Sequence, residues 1–242
     1  MIVYKTGHQI ADTVALAFDQ DVAIGYGILR GMDKKLRSHR HWFNVDRGYF
    51  NPSHFDGYYR ISYKGTQAKW HNGIPRKAGE FNLQPIVKRD GYILICPPTA
   101  AVCEFFGVDH DQWLQDAFRQ LHGRDYRIRD KANSIPIETH LAGACAVITF
   151  NSSVGWEALR LGIPVLSDIE HSIVGSYFKE TTLNILLDKF YLMDYPPLEL
   201  FEAMNAHQFK LDDIAKGETW GIIRHYLYGL AGTAESPPAP MF

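Results

Sequence analysis

The sequence is poor in cysteine and contains no long hydrophobic run. Its three cysteines, Cys96, Cys103 and Cys145, lie in apolar surroundings, and their odd number and spacing fit neither a disulfide framework nor a metal site. We expect buried free thiols in a reducing compartment. No apolar stretch approaches the roughly 18 residues of a transmembrane helix, and Met1–Lys5 lacks the basic start and long apolar region of a signal peptide. The sequence therefore predicts a cytoplasmic protein with no membrane span and no metal ligands.

The charges are unevenly distributed along the chain, although the net charge is only −2. Residues 1–90 contain 14 Lys and Arg against 8 Asp and Glu, a balance of +6. Residues 91–242 contain 11 against 19, a balance of −8. Such an imbalance between halves indicates an anionic partner for the first half.

The most informative stretch is Ala144–Ser167. The apolar, β-branched run from Ala144 to Phe150 predicts a strand buried on both faces. A helix is predicted from Val154 to Leu161, ended by Gly162 in the left-handed conformation. Pro164 then leads into a second apolar run. The stretch therefore predicts a strand, a helix and a parallel strand in compact succession.

Polar residues stand where this helix begins. Asn151, Ser152 and Ser153 would place hydroxyls and bare backbone N–H groups at a helix N-terminus, where the dipole favours anions. Glu157 follows in the same helix, where a carboxylate suits the two hydroxyls of a ribose. The combination predicts a nucleotide site, although a plain capped helix with a solvated glutamate fits the same residues.

The pattern T-x-N-S-S-x-G-x-E-A-L-x-x-G-x-P-V, residues 149–165, resembles the donor-nucleotide half of GT-B glycosyltransferases. It is especially similar to capsule-type sugar transferases and their short phage-encoded relatives. Arg127–Lys131 resembles the basic strand end of that family, except that Ala132 stands where the family often has proline. The resemblance covers residues 90–230 and implies two Rossmann-like domains facing a cleft, the N-terminal one reduced.

The resemblance also implies which residues bind the donor. The Ser pair would contact the donor phosphates, Glu157 would hold the ribose, and the loop after the second strand would lie near the donor. The implied co-substrate is a nucleotide sugar, UDP- or CMP-linked, with no further cofactor and no metal. The donor-binding candidates are Arg129, Lys131, Asn151, Ser152, Ser153, Gly155, Glu157, His171 and Ser172.

A transferase also needs a base for the acceptor hydroxyl. Asp46 ends a predicted strand in the first half of the chain, where ligands bind in open α/β sheets. His8 and His54 are the alternatives, and Asp46 could equally be a turn residue before Arg47 and Gly48.

The first half is rich in aromatic and basic residues. Nine Phe, Tyr or Trp residues lie between Trp42 and Trp70, with basic residues interleaved. Such a surface would suit a polyanionic acceptor, either modified DNA with a flipped base or an acidic glycan. The aromatic residues could instead form a core. The acceptor-binding candidates are Lys34, Lys35, Arg37, Arg40, Tyr58, Tyr59, Arg60 and Trp70.

Turn-forming residues between 71 and 88 indicate a domain boundary. We expect an acceptor-side α/β domain over 1–88, a donor domain over 89–197, and C-terminal helices over 198–231 that pack back across both domains. A disordered tail is expected over 232–242.

The sequence thus favours a metal-independent glycosyltransferase. Two other classes fit the same pattern. One is a non-catalytic protein that binds a nucleotide or nucleic acid on a degenerate transferase scaffold. The other is a nucleotide-sugar epimerase.

Overall fold

The structure, a computed structural model, describes residues 2–4, 22–29, 31–50, 57–130, 135–216 and 218–228. The chain divides into two compact units. Within the described residues, the first unit comprises those up to Ala68, Asn72–Lys77 and those from Ala203 onward. The second comprises Lys69–His71 and Ala78–Glu202. The division thus falls near residue 78, where the sequence had suggested 88, and the chain returns to the first unit at its C-terminal end.

The first unit contains a mixed five-stranded sheet. Its strands are β1 (Ile2–Tyr4), β2 (Val22–Tyr26), β3 (His41–Arg47), β4 (Tyr58–Tyr63) and β9 (Gln208–Lys210), in that spatial order. β1, β2 and β3 are parallel, whereas β4 and β9 are each antiparallel to their neighbour. Helix α1 (Met32–Arg37) connects β2 to β3. β3 contains Asp46, which the sequence had placed at a strand end.

One face of this sheet carries the core of the first unit. Alternate residues of β3 and β4, including Phe43, Val45 and Ile61, pack with two C-terminal helices, α9 (Leu211–Ala215) and α10 (Trp220–Tyr228).

The second unit contains a four-stranded sheet in which every pairing is parallel. Its strands are β5 (Tyr92–Cys96), β6 (Tyr126–Ile128), β7 (Ala144–Thr149) and β8 (Val165–Ser167), in the spatial order β6-β5-β7-β8. The helices of this segment are α2 (Ala100–Phe106), α3 (His110–Arg119), α4 (Ile137–Ala142), α5 (Val154–Arg160), α6 (Ile173–Phe178), α7 (Leu183–Phe190) and α8 (Leu198–Ala206). The predicted α/β class is confirmed.

The predicted strand–helix–strand stretch is present as β7, α5 and β8. Gly162 follows the helix with φ of +70°, as expected for a left-handed helix end. A Cβ atom there would lie 2.5 Å from the Pro85 carbonyl oxygen, so glycine is required for space as well. No helix in the described part of the chain has the length and hydropathy needed to span a bilayer.

A buried hydrogen-bonded pair anchors α10 in the first unit. His207 is fully buried, and its Nδ1 lies 2.7 Å from the Ala203 carbonyl oxygen. A carbonyl can only accept, so Nδ1 carries the proton, and the neutral ring accepts at Nε2 from the Tyr226 hydroxyl, 2.9 Å away. Tyr226 also stacks on Tyr63, with ring centroids 5.3 Å apart.

Tyr226→Phe should therefore lower the thermal unfolding midpoint. The change removes the hydrogen bond between the Tyr226 hydroxyl and Nε2 of buried His207, at a cost of about 1 kcal/mol. Differential scanning calorimetry measures the shift. Tyr195→Phe removes the hydroxyl of a tyrosine that is 56% exposed and serves as the control. Equal midpoints for the two variants would show that the pair does not stabilise this unit.

Candidate functional site

The strand order of the second sheet defines a ligand site at its carboxyl edge, the edge at which β5 and β7 end. From β5 the chain moves to β6 on one side, and it later returns to β7 on the other side before reaching β8. The connections that leave β5 and β7 therefore diverge. Ligands of open parallel sheets bind in the crevice outside the carboxyl ends of two such strands.

Arg129 lies at this edge, directly after β6. Its backbone N–H donates to the Ile95 carbonyl oxygen, 2.9 Å away, which fixes the residue beside the end of β5. One terminal nitrogen makes a long contact, 3.4 Å, with the Ile135 carbonyl oxygen. Its Nε is buried and has no hydrogen-bond partner among the described residues. An unsatisfied buried donor on a cation is costly, and an anionic ligand would satisfy it.

Glu157 is the second unsatisfied charge at the edge. It lies in the first turn of α5, is partly buried, and its carboxylate forms no hydrogen bond or ion pair with the described residues. Burial raises the pKa of Glu157, the nearby charge of Glu138 raises it further, and Arg160 and Arg129 oppose the shift. Carboxylates with raised pKa values in a cleft are candidates for ligand contact.

The polar turn before α5 differs from the sequence prediction. Ser153 stands at the N-cap position but its side chain makes no capping bond. The Gly155 N–H donates to the Ser152 carbonyl oxygen at 3.1 Å, and the Val154 N–H lies 3.4 Å from the Ser152 hydroxyl. These N–H groups are therefore not bare. The exposed Ser153 hydroxyl, which has no partner among the described residues, is the group this turn offers to a ligand.

Two predicted donor contacts, Gly155 and Ser172, have structural roles in the fold. Gly155 is buried, and the position of its absent Cβ faces Val165 and Thr149 at 3.6 and 3.7 Å, so the residue packs α5 on the sheet. Ser172 is also buried; it caps α6 by accepting from the Gly175 N–H and bonds to the Ser167 hydroxyl at 3.1 Å. Both residues support the fold.

His171 lies beside this turn. Its ring stacks on Phe150, the residue before Asn151, with centroids 5.4 Å apart. Its Nδ1 is 2.7 Å from Oδ1 of Asp168. The sequence predicted His171 but not its carboxylate partner. The spacing of three residues after a strand end is a signal that could have suggested the pair.

A cavity of about 370 Å³ lies at the ends of β5 and β6. It is lined by Pro97, Pro98, Thr99, Ala100, His110 and Asp130. Cys96, just before it, is buried, and burial raises its pKa to about 12, so its thiol stays protonated and is not a nucleophile. No group of three or more potential metal-ligating side chains occurs in the described ranges.

In the first unit, Asp46 ends β3 as predicted and is ion-paired. Its Oδ2 lies 2.9 Å from Arg60 Nη2, and its Oδ1 accepts from the Arg47 N–H at 2.8 Å. Arg60 also donates to the Thr66 and Arg47 carbonyl oxygens and lies over the Tyr49 ring. The role of Asp46 as a general base stays a prediction. His8, His54 and Lys131 lie outside the described residues, as does the predicted tail.

The acceptor candidates are only partly brought together. Lys34, Lys35, Arg37 and Arg40 are all exposed on or just after α1. Tyr58 is half-buried, and Arg60 is held by the bonds just described. Tyr59 is 2% exposed in the core of the first unit, so it cannot stack on a base. Trp70 belongs to the second unit and packs edge-on against Tyr177, with centroids 4.9 Å apart.

No family model and no curated protein sequence matches this chain. Among solved structures it is similar to the KpsC beta Kdo 2,7 transferase of Thermosulfurimonas dismutans, with 12% identity and a TM-score of 0.46 over 81% of this chain and 83% of that one. It is also similar to the KpsC beta Kdo 2,4 transferase of the same organism, with 11% identity and a TM-score of 0.41 over 81% of this chain and 86% of that one.

Glu157→Gln should stabilise the protein at neutral and alkaline pH. A carboxyl whose pKa is raised on folding stabilises the fold fully below its unfolded pKa, and this contribution is lost as the pH rises through the folded pKa. The neutral amide avoids that loss. We expect an unfolding midpoint on the order of 2–4 °C higher than that of the parent at pH 8, with the difference vanishing toward pH values near 4.

The control is Glu104→Gln, which changes an exposed glutamate of α2 in the same unit. It should leave the midpoint unchanged at both pH values. A lower midpoint for Glu157→Gln at pH 8 would mean that the carboxylate has a stabilising partner in solution.

Proposed function

We propose that this chain is a glycosyltransferase that moves a sugar from a nucleotide-sugar donor to a hydroxyl acceptor. The observation that carries the proposal is the pair of unsatisfied, oppositely charged groups, Arg129 and Glu157, at the carboxyl edge of the second sheet. No ion pair joins the two within the described residues. A ligand that carries both an anion and hydroxyl donors would satisfy each of them.

A nucleotide sugar is such a ligand. Its phosphate accepts from the Arg129 guanidinium, which is suited to phosphate oxygens, and from the Ser153 hydroxyl. Its ribose donates two hydroxyls to the Glu157 carboxylate. The nucleotide would be UDP or CMP, as the resemblance of residues 149–165 to transferase donor sites implies.

The chemistry that follows is displacement at the anomeric carbon. The bond from that carbon to the phosphate oxygen breaks, and the electron pair leaves with the phosphate. Fixed donors aimed at the developing negative charge lower the barrier because they need no reorganisation. Arg129 and Ser153 supply such donors in this chain, so we propose that transfer proceeds without a metal ion.

Differential scanning fluorimetry with UDP-, CMP- and GDP-sugars tests the donor site. A ligand that binds the folded state stabilises it and so raises the unfolding midpoint. At a hundredfold excess over its Kd, the gain in the free energy of unfolding is about 2.7 kcal/mol. We expect one nucleotide class to do so in the parent. Glu157→Ala and Arg129→Ala should each weaken binding about tenfold or more, as expected for lost bonds to charged groups.

The matched control is Arg127→Ala, which removes a neighbouring arginine that lies over the Tyr92 ring, 4.1 Å from its centroid. It should leave nucleotide binding unchanged.

Turnover separates the three functional classes. A transferase releases the nucleoside phosphate only when acceptor is present, in buffer with or without EDTA, whereas an epimerase alters the sugar alone and a binding protein does neither. Parent-like binding by both site variants would contradict the proposal.

We propose an acidic glycan rather than DNA as the acceptor. The exposed cations Lys34, Lys35, Arg37 and Arg40 support an anionic acceptor of either kind. A base-flipping enzyme also needs aromatic or apolar side chains that replace base stacking. Tyr59 is buried in the core and Trp70 packs on Tyr177, so neither offers a free aromatic face of the predicted kind.

Heparin binding across a salt series tests this choice. Affinity should fall steeply between about 50 and 200 mM salt, because bound cations release counterions. Changing the four α1-region cations to Ser should flatten that dependence. Single-stranded DNA should bind no better than duplex DNA, because Tyr59 and Trp70, two of the candidates for base stacking, pack within the protein itself.

A control variant replaces four exposed cations elsewhere, Lys88, Arg119, Lys179 and Lys216, with Ser. It should retain most of the salt dependence. A marked preference for single-stranded DNA that is lost in Tyr58→Ala would overturn the glycan assignment and favour a nucleic-acid acceptor.

A further inference from the structure

Asp168 and His171 form a hydrogen-bonded pair in the loop that follows β8. Oδ1 of Asp168 lies 2.7 Å from Nδ1 of His171, and the same oxygen accepts from the backbone N–H groups of Glu170 and His171 at 2.9 and 2.8 Å. Burial raises the pKa of Asp168, but the hydrogen bond and charge of His171 together with the two N–H groups outweigh it, so that pKa lies below its ordinary value. The Asp168 side chain is therefore ionised, and its Oδ1 faces the imidazole of His171.

The loop that carries the pair is fixed by close packing. The Asp168 N–H donates to the Phe150 carbonyl oxygen at 3.1 Å, which ties the loop to the end of β7. A Cβ atom on Gly175 would lie 2.2 Å from the Asp168 carbonyl oxygen, so only glycine permits α6 to pack this closely on the loop. The hydrogen bond between Ser167 and Ser172 closes the loop at its base.

The imidazole ring is held on two further sides. It stacks on Phe150 at an interplanar angle of 24° and meets Phe106 of α2 edge-on, with centroids 4.3 Å apart. The side chain is 30% exposed, and Nε2 has no hydrogen-bond partner in the described part of the chain. The ring orientation is thus determined by a carboxylate and two aromatic rings, while its second nitrogen is left for a ligand beside the Asn151–Ser153 turn.

We propose that Asp168 is a positioning residue that holds protonated His171 so that Nε2–H donates to the leaving phosphate of the donor. This inference rests on the proposed transferase function, because it assigns a role at the same site. As the bond from the anomeric carbon to the phosphate oxygen breaks, the electron pair goes to that oxygen. The imidazolium hydrogen bond then offsets the new negative charge, and no proton need leave the ring.

The charges around the ring favour this assignment. Among the described residues, Asp168 is the charged side chain that contacts it, and because a carboxylate only accepts, Nδ1–H of the ring donates in that bond. The other titratable groups on the adjoining loop and on α2 do not bond to the ring: Glu170 and Glu104 are exposed and Cys103 is buried. Phe150 and Phe106 are apolar and shield the Asp168–His171 bond from water on two faces.

Isothermal titration calorimetry with pyrophosphate as the probe tests the inference. At pH 7, His171→Gln and Asp168→Asn should each bind pyrophosphate about tenfold more weakly than the parent, the usual effect of losing a charge-assisted hydrogen bond. Asn can still accept from the two backbone N–H groups, so the loop should keep its shape. Asp116→Asn removes the same charge from an exposed ion pair with Arg119 and should bind like the parent.

Ring spectra separate positioning from a structural effect. Long-range ¹⁵N–¹H spectra of the pyrophosphate complex, with the His171 signals assigned by their absence in His171→Gln, should show both ring nitrogens protonated in the parent. In Asp168→Asn the Nδ1–H signal should be shifted or lost, because its carboxylate acceptor is gone.

Three results would overturn the inference: parent-like pyrophosphate binding by His171→Gln, an unchanged His171 Nδ1–H signal in Asp168→Asn, or no pyrophosphate binding by the parent. None of these decides the proposed function. That function is judged by nucleotide-sugar binding and acceptor-dependent release of nucleoside phosphate, which are measured without this probe.

Discussion

The parallel order of the second sheet is the constraint on which the site depends. Since β5, β6, β7 and β8 run in one direction, their carboxyl ends lie at one edge of the sheet. The chain leaves β5 toward one side of the sheet and β7 toward the other side, and this divergence opens a crevice at that edge. Residues far apart in sequence therefore gather without long loops. Arg129 follows β6, the Asn151–Ser153 turn follows β7, and His171 follows β8.

What distinguishes this edge is that its charges are left unsatisfied. Arg60 in the first unit has three acceptors and an aromatic ring around its guanidinium, which is the usual state of a partly buried arginine. Within the described residues, Nε of Arg129 is buried and has no acceptor, and the partly buried carboxylate of Glu157 has no protein partner. Both arrangements cost stability in the free protein. A fold retains such costs where a ligand offsets them, and this is why we place function in the second unit.

The sequence predicted the elements of the site better than their partners. Local signals in the sequence predicted β7, α5 and the end of that helix. The apolar run to Phe150 indicates a buried strand, the polar turn indicates a helix start, and Gly162 indicates a left-handed helix end. Tyr59 was ambiguous, because aromatic residues serve cores and stacking surfaces equally, and only the packing of α9 and α10 shows that it is core. The Asp46–Arg60 pair depends on the register of β3 against β4, which no local pattern specifies. The packing of Gly155 and the cap made by Ser172 were not foreseen, because small residues support close packing as often as they contact ligands.

The contrast between the two units bears on how the proposed transfer would be catalysed. Asp46 is held by Arg60 and by the Arg47 N–H, so its carboxylate is already engaged within the first unit. The donor side, by comparison, offers Arg129, the Ser153 hydroxyl and the oriented imidazole of His171. Glycosyl transfer passes through a transition state in which charge separates between the sugar and the departing phosphate. When the departing phosphate is stabilised, transfer depends less on how strongly a base removes the proton of the acceptor hydroxyl. The larger share of the rate enhancement would then come from the second unit.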